Sequence, residues 1–176
     1  MQIFGKINRT LVCQWRHLAW NVSKKLNRDW FDRIRFKYTT GRRLDYNNPV
    51  YLNDKLMWLN RFWCSPLKVK CADKVRVHDY LAEKGLEGYA VPLLGVWDDA
   101  NDINFELLPK QFVLKCNHGC GYNIIVKDKQ HINKAEIRQK LNEWLKENYG
   151  KIHNEYHYSK IEPKILAEKY LIDLEE

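Results

Sequence analysis

The chain reads as an α+β protein, and three observations predict it. Stretches with apolar residues every three or four positions alternate loosely with short apolar runs rich in Val, Ile and Phe. Gly and Pro punctuate the joins, as in "NNPVYLND", "LAEKGLEGY" and "NHGCGYN". Apolar residues make up 45% of the chain and aromatic residues 13%, which suits a packed core and not a disordered polymer. The 176 residues allow one domain, or two small lobes sharing a core.

In chain order, residues 3–26 carry the strongest helical period, with Phe4, Ile7, Leu11, Trp15, Leu18, Val22 and Leu26 on one stripe. Lys6, Arg9, Arg16, Lys24 and Lys25 lie largely off it. A second short helix is expected from Trp30 to Tyr38, stopping near Gly41. In "NNPVYLNDKLMWLNRFW", Pro49 punctuates and Asn53 or Asp54 can cap a helix whose stripe is Leu52, Leu56, Leu59 and Trp63. After Pro66 the sequence predicts a turn, then a helix from about Asp73 with Val77, Tyr80 and Leu81 inward, ended by Gly85. "YAVPLLGVW" reads as a short strand and "DDANDINFELLPK" as a polar loop with room for one helical turn. "QFVLKC" is a strand, 119–121 a turn, and "YNIIVKD" the returning strand. Residues 133–149 form a helix with Ile137, Leu141, Trp144 and Leu145 inward, and "PKILAEKYL" is the last strand.

The net charge of +8 is unevenly spread. Residues 1–43 hold 11 Lys/Arg against only Asp29 and Asp32, whereas 44–176 hold 19 Lys/Arg against 20 Asp/Glu. A basic segment beside a neutral body argues against a nucleic-acid binder, whose positive patch usually covers the folded surface. For residues 3–26 two readings stay open: a helix lying on an anionic membrane, or one packing its stripe on the domain. The five cysteines, an odd number without regular spacing, fit free thiols in a reducing cytoplasm. The start shows neither the uninterrupted apolar run nor the cleavage site of a signal peptide.

The run "FVLKCNHGCG", Phe112 to Gly121, admits two chemistries. Cys116, His118 and Cys120 alternate as zinc ligands could, but structural zinc sites use paired knuckle spacings, and ligands strung along a strand chelate poorly. The alternative is a phosphate site. A lysine at the end of a strand supplies a point charge, and the glycines after it let backbone N–H groups approach phosphate oxygens. By itself a Gly-X-Gly turn is also what an ordinary hairpin contains.

Context decides between them. Upstream stands "ADKVRVHDYLAEKG" and downstream "ILAEKYL", so the order is Asp-Lys-helix, strand-Lys-glycine loop-strand, then Glu-Lys-X-Leu. This order resembles the ATP-grasp fold. More narrowly, "NPVYLNDKLMWLN", "CADKVRVHDYL", "LLGVWDDANDINFELLPKQFVLKCNHGCGYNIIVKDK", "EYHY" and "ILAEKYL" resemble the TupA-like, teichuronopeptide-biosynthesis ATP-grasp family. The resemblance runs from about Pro49 to Leu171.

It implies an ATP-grasp-like α+β fold, with N-terminal helices and then a small mixed or antiparallel sheet lobe. Residues 1–45 would be a basic helical segment and 46–176 a partial nucleotide-binding domain. The resemblance implies that Lys74 and Lys115 contact ATP phosphates, and that His118, Gly119, Cys120 and Gly121 form the loop over them. It implies that Glu168, Lys169, Tyr170 and Leu171 meet the adenine, with Glu175 as the ribose acid. The plain alternatives are a surface lysine at position 74 and an exposed Glu168–Lys169 pair. Trp144 and His157 are expected to be core residues, with the histidine satisfied.

The implied reaction is ATP-dependent ligation. A carboxylate attacks the γ-phosphate to give an acyl phosphate, and an amine then displaces phosphate. The implied substrates are a sugar acid or amino acid of a cell-surface polysaccharide. Magnesium is the implied metal, with its ligands expected beyond Glu176; that lobe is absent from this sequence, so the chain alone is expected to be catalytically incompetent. Other readings stay open: a glycosyltransferase-like or non-catalytic protein of a polysaccharide cluster, and a basic nucleic-acid-binding module.

Overall fold

The structure is a computed structural model that describes residues 28–171. The helix expected over 3–26 lies outside the described residues, as does Glu175. The chain divides into two compact units between Trp58 and Leu59.

The first unit is built around helix α1, Arg28–Thr40. It ends before Gly41, whose N–H donates to Lys37 O at 2.8 Å. Phe36 points inward and packs with Leu44, Tyr46 and Met57. Arg33 holds the returning chain by donating to Asp29 at 2.7 Å and to the Leu44 carbonyl at 2.7 Å. The next helix, α2, spans Leu52–Phe62. Asp54, which the sequence marked as a possible cap, accepts from the Tyr51 N–H at 3.1 Å and pairs with Arg42. Leu52, Leu56, Leu59 and Trp63, the apolar stripe of this stretch, are all exposed.

In the second unit, Ser65 accepts from the Lys68 N–H at 3.1 Å and starts helix α3, Pro66–Ala72, with proline in its first turn. Helix α4 is Arg76–Glu83. It begins later than the sequence predicts. The side chain of Asp73 accepts from the Val75 and Arg76 N–H groups and so stands ahead of the first turn. Val77, Tyr80 and Leu81 are half-buried, as no residue of α4 is fully buried.

Four antiparallel strands follow: β1 Leu93–Trp97, β2 Phe112–Cys116, β3 Asn123–Val126 and β4 Ile165–Lys169. Their order is β1-β4-β2-β3, so the last strand lies in the interior of the sheet. Lys115 opposes Asn123 in the β2–β3 hairpin and Leu166 across β4. Between β3 and β4 come helices α5, Lys134–Leu145, and α6, Tyr149–His153. The fold is therefore α+β with a small antiparallel sheet.

Side-chain alternation gives the sheet two faces. Phe112, Leu114, Cys116, Val126, Ile165 and Ala167 form the core with Ile137 and Leu141 of α5. The segment expected as a polar loop closes this core. Ile103, Phe105 and Leu108 are buried in it, because two short 3₁₀ turns, Ala100–Asp102 and Phe105–Leu107, aim them inward. Val113, Lys115, Leu166 and Glu168 share the opposite face.

Leu141 has no exposed surface, so Leu141→Ala removes packing that α5 cannot replace. The expected cost is about 2–5 kcal/mol, read as a lower urea midpoint with an unchanged slope.

Candidate functional site

The site is built at the end of β2, where that strand runs into the turn 117–122. The turn is short enough for Cys116 N–H to reach the Tyr122 carbonyl at 3.0 Å. Asn117 is 1% exposed and uses its whole side chain. Its amide donates to Asp73 Oδ1 and to the Glu162 carbonyl, both at 2.9 Å, and its oxygen accepts from the Lys164 N–H at 2.7 Å. Its own N–H donates to Lys164 O at 3.0 Å. One buried amide thus ties the Asp73-Lys74 segment, the end of β2 and the chain entering β4 together.

This tie places Lys74. Its ammonium donates to the Gly119 carbonyl, with the Asn117 carbonyl at 3.5 Å. The position is half-buried, and burial pushes the Lys74 pKa below its ordinary value. The charge of Lys115 acts in the same direction, while Cys120, Cys116 and Glu168 oppose it. Lys74 and Lys115 are therefore electrostatic neighbours. Lys115 pairs with Glu168 across the sheet. That pair is only partly open to water, with side chains 27% and 11% exposed.

The four residues of the glycine turn divide into two halves. His118 is buried and lies 3.1 Å from the Trp144 carbonyl through Nε2. A carbonyl only accepts, so Nε2 carries the proton and Nδ1 is bare; that atom is buried and has no hydrogen-bond partner among the described residues. Burial pushes the His118 pKa down against the opposing pull of the Trp144 and Glu147 carbonyls. A Cβ on Gly119 would sit 2.7 Å from Tyr122 Cε2 and 2.8 Å from the ring of Tyr149. Only glycine fits beneath those rings. Cys120 and Gly121 are exposed, and Gly121 turns the chain at φ +80°, where a side chain is disfavoured.

Tyr122 anchors the far end of the turn. Its hydroxyl donates to Glu147 at 2.5 Å, and its ring stacks on Trp144 with centroids 5.3 Å apart. Trp144 is half-buried in this stack.

Glu168 faces Lys115 and does not form the exposed pair with Lys169 that the plain reading predicts. The backbone N–H of Lys169 donates to Pro92 O at 3.1 Å, and its side chain is exposed. Tyr170 is half-buried and Leu171 exposed. Cys116 lies in the buried core, His118 faces a carbonyl, and exposed Cys120 reaches Tyr149. Among the described residues, no group of three His, Cys, Asp or Glu side chains could hold a metal ion. The donors present suit an anion and not magnesium.

Sequence reasoning missed Asn117, Tyr122, Glu147 and Glu162. For Asn117 a signal existed: a short amide directly after a buried strand must either face water or find partners for every lone pair and N–H. His157, expected to be satisfied, is buried with Nδ1 lacking a hydrogen-bond partner. Burial lowers its pKa from 6.5 to about 4.

A family model described as TupA-like ATPgrasp matches residues 54–176. No curated protein and no solved structure matches the chain.

Two outcomes are expected here. Because the folded pKa of His157 is depressed, its contribution to stability is complete above pH 6.5 and is lost as pH falls towards 4. Urea midpoints measured across that range should drop with acid, and His157→Gln should flatten the drop. Asn117→Asp sets a second carboxylate against Asp73, and should lower the melting temperature while also weakening anion binding near Lys74.

Proposed function

The chain belongs to the TupA-like ATP-grasp family, and we propose that it binds ATP on the sheet face carrying Lys115 and Glu168. The observation that carries this reading is the convergence of Lys74 and Lys115. One comes from the turn between α3 and α4 and the other from the end of β2. The Lys74 ammonium reaches the carbonyls of Asn117 and Gly119, just past Lys115, and the charge of Lys115 helps to push the Lys74 pKa down. Two neighbouring ammonium groups repel one another, and an oligophosphate removes that cost.

Each lysine has a partner it would share with the ligand. Lys115 leans on Glu168, and a phosphate would draw the ammonium away and leave the carboxylate available to donors on the base. Lys74 is held by carbonyls of the glycine turn, so a phosphate reaching it must also approach Gly119 and the exposed pair Cys120 and Gly121. Lys169, Tyr170 and Leu171 continue from Glu168 as the edge along which the adenine would lie, with Glu175 beyond them.

The reaction we infer is an ATP-dependent carboxylate–amine ligation for a cell-surface polysaccharide, on a sugar acid or amino acid. ATP supplies the phosphoryl group that activates the carboxylate; this chain's residues bind, neutralise and orient the phosphates. Magnesium would be held by residues other than the described ones. Residues 46–176 form the nucleotide part. Residues 1–45 form a basic segment whose 3–26 stretch rests on the inner face of an anionic membrane. No helix among the described residues is long and apolar enough to cross one.

Calorimetric titration with magnesium and ATP tests the nucleotide site. Lys115→Gln and Lys74→Gln should each weaken binding by about tenfold or more. The double variant Lys115→Gln, Glu168→Gln avoids stranding a carboxylate, and should bind no more tightly than the single variant while melting near wild type. Unchanged affinity in both lysine variants, or no binding by the wild-type chain, overturns the reading.

A further inference from the structure

The first unit presents a face that the nucleotide site does not use. Trp30, Ile34 and Tyr38 recur at every fourth position of α1 and so share one stripe. They are 55%, 45% and 91% exposed. The opposite side of the same helix is spent inward, where Phe36 and Asp32 are 4% and 1% exposed. Among the described residues, α1 therefore turns Phe36 and Asp32 into the unit and leaves the Trp30, Ile34 and Tyr38 stripe exposed.

The charges around the outward stripe are sorted by sign. Arg33 and Lys37 lie to one side of it and Arg35 to the other, and exposed Arg43 follows the helix. The two acids of α1 are withdrawn: Asp32 is buried, and Asp29 is paired with Arg33. Exposed Trp and Tyr on a helix bordered by Arg and Lys, with no acid on the same face, match the interface of an anionic bilayer. There the rings occupy the headgroup boundary and the cations meet phosphates. The preceding residues 3–26 repeat that composition in sequence, with Trp15 on an apolar stripe and lysines off it.

We propose that α1 is itself a membrane-docking element, which lays Trp30, Ile34 and Tyr38 into the surface of an anionic phospholipid bilayer. This deepens the membrane part of the reading above by adding a second contact in a different segment. It does not depend on the nucleotide site. The α1 stripe is directional: its inward face is fixed by Phe36 and Asp32, so docking through it would orient the first unit on the bilayer.

Co-sedimentation of the full chain with vesicles tests it, using phosphatidylcholine alone and an equimolar mixture with phosphatidylglycerol. Two sets of substitutions are compared: Trp30→Ser, Ile34→Ser, Tyr38→Ser in α1, and Leu11→Ser, Trp15→Ser, Leu18→Ser in the preceding segment. Circular dichroism checks that the α1 variant keeps its helix content. The wild type should bind the anionic vesicles and not the neutral ones. The α1 substitutions should weaken that binding about tenfold or more, since interfacial helices bind through buried apolar area. Binding that falls only with the 11–18 substitutions overturns the α1 inference and leaves the first contact standing. Absence of binding to anionic vesicles overturns both. If the α1 substitutions instead turn a dimer into a monomer in sedimentation equilibrium, with vesicle binding unchanged, the face is a protein interface and the proposal fails.

Discussion

The candidate site depends on a buried amide. Asn117 is sealed from water, so every hydrogen-bonding group on it must be matched inside the protein. The groups that match it come from Asp73, Glu162 and Lys164, three points widely separated along the chain. Each of those bonds is also a positional constraint. Asp73 is one residue from Lys74, and Asn117 is two residues past Lys115. The amide therefore ties the backbone that carries one cation to the backbone that carries the other. Loss of one partner would leave a donor or acceptor stranded, which costs about 1–3 kcal/mol and removes the constraint together with the bond.

The charge balance at the site follows from this geometry. Two neighbouring ammonium groups repel, and the structure sets Glu168 against one and backbone carbonyls against the other. Neither arrangement is a deep ion pair. Both are contacts for which an incoming anion could compete, and taking Lys115 would leave the buried Glu168 carboxylate in need of a new donor.

The glycine turn is divided by packing. His118 and Gly119 are held under Trp144, Tyr122 and Tyr149, whereas Cys120 and Gly121 stand in solvent. A loop made of small residues throughout would gain mobility at the expense of aim. Here the aromatic cluster fixes where the loop leaves the body, and its tip is exposed.

Much of this was legible from local chemistry. Helical and strand periods located α1, β2, β3, α5 and β4. Gly41 marked the end of α1, and the run from Phe112 to Gly121 announced strand, lysine and turn, because those patterns depend on neighbours within a few residues. The family could also be recognised from the order of its lysines and glycines. What lay beyond reach were relations between distant residues. The inward aim of Ile103, Phe105 and Leu108 depends on a core that forms around them. The choice of Lys115 over Lys169 as partner of Glu168 depends on strand register, and the delayed start of α4 depends on how Asp73 is used. The sequence by itself determined which segments could be helix, strand or turn and where the cations sit along the chain. Only the tertiary structure decided which of them meet, because burial, register and the pairing of polar groups are properties of space and not of adjacency.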